Sequence, residues 1–174
     1  PAAAAGAGPG RRVTALARFR SPVGPLTVEA TDAGVCALRF GGGERARPPI
    51  SALARGHVQA ALAALDDYFA GRRPALPALD LRGSPFQRQV WREILTIPYG
   101  EVRTYGEIAR DLGRPGAARA VGAANGKNPV AILVPCHRVV QGGGRLGGYG
   151  GGVEVKRWLL AHEAAHAPAL RPPT

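Results

Sequence analysis

Residues 134–140, VPCHRVV, place a thiol, an imidazole and a guanidinium side by side at the end of an apolar run. A free cysteine is only a few per cent thiolate at neutral pH, yet the thiolate is a strong nucleophile. Reactivity depends on a neighbouring base or cation that lowers a pKa of about 8.5. His137 and Arg138 supply one of each. Adjacent residues on a regular strand point to opposite faces. For His137 to serve Cys136, the chain must turn at Pro135-Cys136, or a water must bridge the two. The competing reading is a packed thiol beside a structural histidine.

The elements that would hold this cluster fall into two parts, separated by RRPALPALDLRG (72–83). In the first, VTALARF (13–19), LTVEAT (26–31) and VCALRF (35–40) alternate with turn signals and read as an antiparallel meander. Cys36 lies in the third strand and reads as a small buried apolar residue. After the loop GGGERARPP, a helix is expected over 51–70, with Val58, Ala61, Leu62, Leu65 and Phe69 on one face. The second part is helical. Ser84-Pro85-Phe86-Gln87 and Thr104-Tyr105-Gly106-Glu107 are capping boxes. The first helix carries a stripe of Phe86, Val90, Ile94 and Leu95 and stops at Pro98-Tyr99-Gly100. The second ends at Gly113, and a short helix follows from Ala117 to Asn125, closed by Gly126.

Those last two helices form a helix-turn-helix. The second, AARAVGAAN, carries one long cationic side chain, Arg119, among alanine, glycine and valine. A reader of the major groove needs several long polar side chains. A helix this lean can instead approach a sugar-phosphate wall or a narrow minor groove. Equally, it can be a packing helix whose alanines let a neighbour come close. Residues 129–140 read as a buried strand, and QGGGRLGGYGGG (141–152), with eight glycines, reads as a loop able to bring backbone against a flat ligand. A final helix is expected over 153–164, with Val155, Trp158, Leu159 and His162 on one side.

The expected fold class is therefore α+β. An N-terminal antiparallel sheet plus helix (13–80) precedes a mostly helical, winged-helix-like C-terminal domain with the helix-turn-helix (84–165). Residues 1–12 and 166–174 read as tails, the first too lean in bulky apolar residues for a secretory signal. The chain has 174 residues and a formal net charge of +11, which favours a polyanion partner, nucleic acid first. No stretch approaches the roughly 20 apolar residues of a membrane helix. The two cysteines sit in unlike contexts, outside any zinc-type spacing, and read as reduced thiols.

PCHRV resembles the active-site motif of the O6-alkylguanine-DNA alkyltransferases, the methylated-DNA–protein-cysteine methyltransferases. SPFQRQVW, IPYGEVRTYGEIA, AARAVGAANGKNP, ILVPCHRVV, GYGGG and KRWLLAHE resemble family blocks in family order, over nearly all of 84–163. The N-terminal part matches weakly, through SPVGPLTVEAT. The resemblance implies single-turnover transfer of an alkyl group from a flipped-out guanine to Cys136. It implies that His137 takes the thiol proton through a water, that Glu163 orients His137, and that Asn128 braces the turn. Tyr105 would rotate the target phosphate and supply a proton. Arg119 would fill the hole left by the base, with Ala118 and Gly122 of its helix against minor-groove DNA. Tyr149, Gly150 and Val139 would line the base pocket. Many relatives carry serine where this chain has Gly150, which removes one hydroxyl from the alkylated oxygen. Some relatives hold an N-terminal zinc; Cys36 and His57 do not reproduce that set, so no metal and no cofactor are expected. A monomer in the cytoplasm, or the nucleus if the source is eukaryotic, is expected. The rival readings are a non-catalytic, lesion-sensing helix-turn-helix protein and a thiol hydrolase.

Overall fold

The computed structural model describes residues 15–42 and 51–167. The expected N-terminal tail, the start of the first strand, most of the GGGERARPP loop and residues 168–174 lie outside the described residues; His166, expected in the C-terminal tail, instead ends the last helix, two residues beyond that helix's expected end. Strands β1 (Ala15–Ser21), β2 (Gly24–Thr31) and β3 (Gly34–Phe40) form an antiparallel meander in the order β1-β2-β3. Helix α1 (Ala52–Phe69) packs on this sheet, mainly against β2. Its buried face is Ala54, Val58, Ala61, Ala64, Leu65 and Tyr68. Val58, Ala61 and Leu65 are buried as expected, whereas Leu62 and Phe69 are only partly covered and Tyr68 is buried in addition. Cys36 is likewise only partly covered and shares its thiol with the Glu29 carbonyl.

The helical part holds α2 (Pro85–Leu95), the two-residue strand β4 (Arg103–Thr104), α3 (Tyr105–Asp111), α4 (Ala118–Gly126), strand β5 (Val139–Val140) and α5 (Val153–His166). Both capping boxes close reciprocally, with Ser84 paired to Gln87 and Thr104 to Glu107. Helices α3 and α4 are the helix-turn-helix pair, and α2 packs against α4. Trp91 is buried there and donates its indole N–H to the Ala124 carbonyl at 2.9 Å. The small residues of α4 do admit a close neighbour on this inner side, while Arg119 stays exposed on the outer one. The helix includes Gly126 and is capped by Lys127, one residue beyond its expected end.

The expected strand over 129–140 does not form. Pro129 and Ala131 pair with the open edge of β3, through Leu38 N–H to Pro129 O at 2.9 Å and Ala131 N–H to Leu38 O at 3.1 Å. The chain then turns. Ile132 adopts φ 68°, a left-handed conformation that opposes its β-branched side chain. Val134 N–H reaches back to Val130 O at 3.0 Å, and Cys136–Arg138 form one turn of 3-10 helix. Only Val139–Val140 return to strand, parallel to β4. Burial on all sides gives a turn and a strand the same apolar sequence, so periodicity could not separate them.

The Thr104 cap fixes both the start of α3 and the entry of Tyr105, its first residue. Thr104→Ala is expected to lower stability by about 1 kcal/mol. Urea unfolding should report it as a lower midpoint at unchanged slope.

Candidate active site

The 3-10 turn at Cys136–Arg138 replaces the regular strand that would have set Cys136 and His137 on opposite faces. In a 3-10 turn the two side chains need not face opposite ways. Cys136 borders a cavity of about 270 Å³. The wall comes from both parts of the chain: Leu38, Arg39 and Phe40 of β3 on one side, Asn125 at the end of α4, Asn128 just beyond it, and Tyr149 of the glycine loop. Phe40 meets Tyr149 edge-on, with ring centroids 5.5 Å apart. The Asn128 amide spans the turn, donating to Val134 O at 2.8 Å and accepting from Val130 N–H at 3.0 Å. Asn125, which sequence reasoning passed over, is buried and donates to Cys136 O at 3.3 Å.

Behind the thiol lies a buried polar cluster centred on Glu163 of α5. His137 Nε2 lies 2.6 Å from Glu163 Oε1. Arg138 donates from Nε to Oε2 at 2.8 Å and from Nη2 to Oε1 at 3.1 Å. Tyr68 of α1 donates its hydroxyl to Oε1 at 2.9 Å, and Gly100 N–H reaches Oε2 at 2.9 Å. Gly100 holds φ 83°, and a Cβ there would lie 2.6 Å from Ala167 Cβ, so only glycine presents this amide to the acid. Burial pushes the Glu163 carboxyl upward, but His137 and Arg138 outweigh it and leave the pKa at about 2.

An ionised Glu163 accepts, so His137 Nε2 carries the proton and Nδ1 keeps its lone pair. Nδ1 is buried and has no protein partner among the described residues. Burial lowers the His137 pKa, against the raising pull of Glu163. Burial raises that of Cys136, against smaller opposing effects of Asn128 and Lys156. At rest the thiol and the imidazole are therefore both neutral. Lys156, fully buried on α5, donates to Val139 O at 2.6 Å. Val139, expected in the pocket, is buried but lies outside the cavity lining, its carbonyl engaged by this lysine.

Tyr149 and Gly150 do line the cavity, and the Tyr149 hydroxyl is buried next to the Cys136 thiol. Tyr105, Ala118, Arg119 and Gly122 line a second, open groove of about 530 Å³, which shares Gly148 with the first. A Cβ at Gly147 would sit 2.8 Å from the Tyr105 hydroxyl oxygen, so the glycine loop closes against this phenol. The expected site residues thus form two adjoining groups, thiol and relay in one, groove residues in the other. Sequence reasoning missed Tyr68, Asn125, Lys156 and the β3 wall. Arg138, noted in the sequence as a cation beside the thiol, holds Ile97 O at 2.7 Å and also binds the acid.

Glu163→Gln would strand Arg138 without its counter-ion, and a loss of about 3 kcal/mol or more is expected at pH 7. The folded pKa lies below the ordinary glutamate value of 4.5, so this stability is present above pH 4.5 and fades as pH falls toward 2. Denaturation of wild type and variant across that range should show the gap closing on the acid side.

Two family models match the chain. One, described as 6-O-methylguanine DNA methyltransferase, ribonuclease-like domain, covers residues 16–82. The other, the DNA binding domain of the same enzymes, covers residues 85–165. A methylated-DNA–protein-cysteine methyltransferase of Mycobacterium tuberculosis is 50% identical over 157 residues, 86% of this chain and 92% of that protein. Another, from Mycolicibacterium paratuberculosis, is 62% identical over 106 residues, which span 60% of this chain and 64% of that protein. The crystal structure of Mycobacterium tuberculosis O6-methylguanine methyltransferase superposes with a TM-score of 0.76 at 47% identity, covering 87% of this chain and 93% of that one. The OGT of the same organism in complex with DNA gives 0.75 at 46% identity, covering 88% and 95%. Sequence and fold agree along both halves, and the chain belongs to the O6-methylguanine DNA methyltransferase family.

Proposed function

We propose that this protein repairs DNA by moving the alkyl group of an O6-alkylguanine irreversibly onto Cys136, one transfer per molecule. The observation that carries the reading is a cysteine bordering a cavity, with a histidine–glutamate pair buried behind it. Related proteins that share this architecture carry the name methylated-DNA–protein-cysteine methyltransferase, and one is seen with DNA.

The target carbon is inside the duplex stack, so the nucleotide must leave the helix, at a cost of roughly a few kcal/mol. In this reading Arg119, exposed on α4, enters the minor groove and fills the vacated space. Ala118 and Gly122 lack the bulk to hold the helix away from the sugar-phosphate wall. Tyr105 turns the target phosphate from the adjoining groove. The extruded base enters the cavity between Tyr149 and the asparagines. Gly150 offers no hydroxyl there, and Val139 acts through the backbone that Lys156 holds.

His137 then takes the thiol proton at Nδ1 through a water, and Glu163 holds the imidazolium. The thiolate attacks the alkyl carbon in line as the C–O6 bond breaks. The electron pair stays on guanine, which takes a proton from Tyr105 or solvent and returns to its ordinary form. The product is a thioether on Cys136. A thioether is a poor leaving group, so the chain is spent. No helix among the described residues is long and apolar enough to cross a membrane. The bacterial origin of the named relatives supports a cytoplasmic location, where in this reading the protein acts as a monomer.

Duplex DNA carrying radiolabelled O6-methylguanine tests the reading. One label per protein chain, lost in Cys136→Ser, is expected. Label released with turnover would mean a hydrolase, and tight binding without transfer would mean a lesion sensor. Because burial lowers the His137 pKa, the transfer rate should hold below the ordinary imidazole range near pH 6.5, falling only at more acid pH. A pH–rate profile reads this directly. Arg119→Ala should weaken duplex binding and lower transfer at least tenfold, with a smaller loss on single-stranded substrate.

A further inference from the structure

The relay behind Cys136 receives one group from outside the helical part. Tyr68, in the last turn of α1, reaches across 95 residues of sequence to Glu163. Its hydroxyl donates to Oε1, the oxygen that His137 Nε2 also contacts, and lies 3.4 Å from Nε2 itself. Tyr68 is 1% exposed, and His137 and Glu163 are fully buried. Its ring packs edge-on against Tyr99 and His137, with centroids 5.9 and 6.2 Å away. Its own carbonyl accepts from His162 of α5 at 2.7 Å.

We propose that Tyr68 is a positioning residue for the alkyl transfer, acting through Glu163 to set the basicity and orientation of His137. The inference rests on the reading of Cys136 as the alkyl acceptor. A hydrogen bond donated to a carboxylate lowers its pull on other protons. Tyr68 and His137 compete for one oxygen, so the phenol tempers how strongly Glu163 draws the imidazole proton. Because the phenol is locked by α1, it also fixes where Oε1 sits, and through it the ring that faces the thiol.

The other groups around the pair come from every element packed on it. Arg138 and Cys136 lie on the same turn, and Tyr99 precedes the Gly100 amide after α2. Tyr149 packs edge-on to His137 from the glycine loop, and Lys156 and His162 come from α5. Arg138 and Lys156 each depress the His137 pKa; Glu163 raises it. Tyr68 differs from these charged groups in being removable without changing the net charge of the cluster.

Tyr68→Phe keeps the ring and its edge-on contacts and deletes only the donor. Glu163 would then draw the His137 proton more strongly, so the imidazole becomes protonated at higher pH. The acid limb of the methyl-transfer profile should move up by roughly half a pH unit. One label per chain should still be transferred. The same shift should appear in a 15N titration of the His137 ring, recorded on the full chain without DNA. That second reading is independent of transfer, so it judges Tyr68 even if labelled DNA is never demethylated. An unmoved midpoint in the titration would overturn the proposal. So would a transfer profile scaled down uniformly at every pH, which is what a purely structural loss produces.

Discussion

One buried carboxylate organises this molecule. Glu163 sits where a lone charge would be prohibitive, and five N–H or O–H donors make it tolerable. They come from α1, from the loop after α2, and from the turn that carries the thiol. Each segment must arrive at the same point within about 3 Å, so the acid acts as a geometric lock on the fold. It is also an electrostatic one. Arg138 balances its charge, which leaves His137 free to be neutral at rest and to accept a proton when one is offered. A histidine in that state beside a buried, protonated thiol is quiet until a reacting group displaces the balance.

The sheet, at first sight a scaffold, is part of the reactive wall. The open edge of β3 is covered by residues 129–131, the segment that leads into the turn at Ile132. That pairing places Leu38, Arg39 and Phe40 beside the cavity and seats Phe40 against Tyr149. The pocket is thus bounded by a rigid strand on one side and by glycine-rich backbone on the other. The first gives a fixed boundary; the second gives room for a flat ring to approach main chain.

Much of this was legible in the sequence. Alternating apolar residues marked the meander, and the Ser84 and Thr104 boxes placed α2 and α3 at their observed starts. Cys136 and His137 stood out because thiol and imidazole adjoin, and Arg119 because it is the one long cation on a helix of small residues, whereas Glu163 and Asn128 became candidates only through family likeness. What escaped was tertiary in origin. Residues 130–134 are buried on every side, so their composition does not distinguish turn from strand. Tyr68 lay outside the expected stripe of α1, since nothing local hints that its hydroxyl will find an acid far along the chain. Lys156 and Asn125 were passed over, because nothing local says that a carbonyl waits inside for each.

The order of residues along the chain gives that carboxylate a temporal meaning. Cys136 is synthesised before α5, and α1 long before either. Contacts of such sequence separation form late, after the loops between them have closed. A growing chain therefore displays its thiol without a partnered imidazole until α5 docks against α1. The proton acceptor for that sulfur is thus completed only by the last helix to be made, when Glu163 reaches His137.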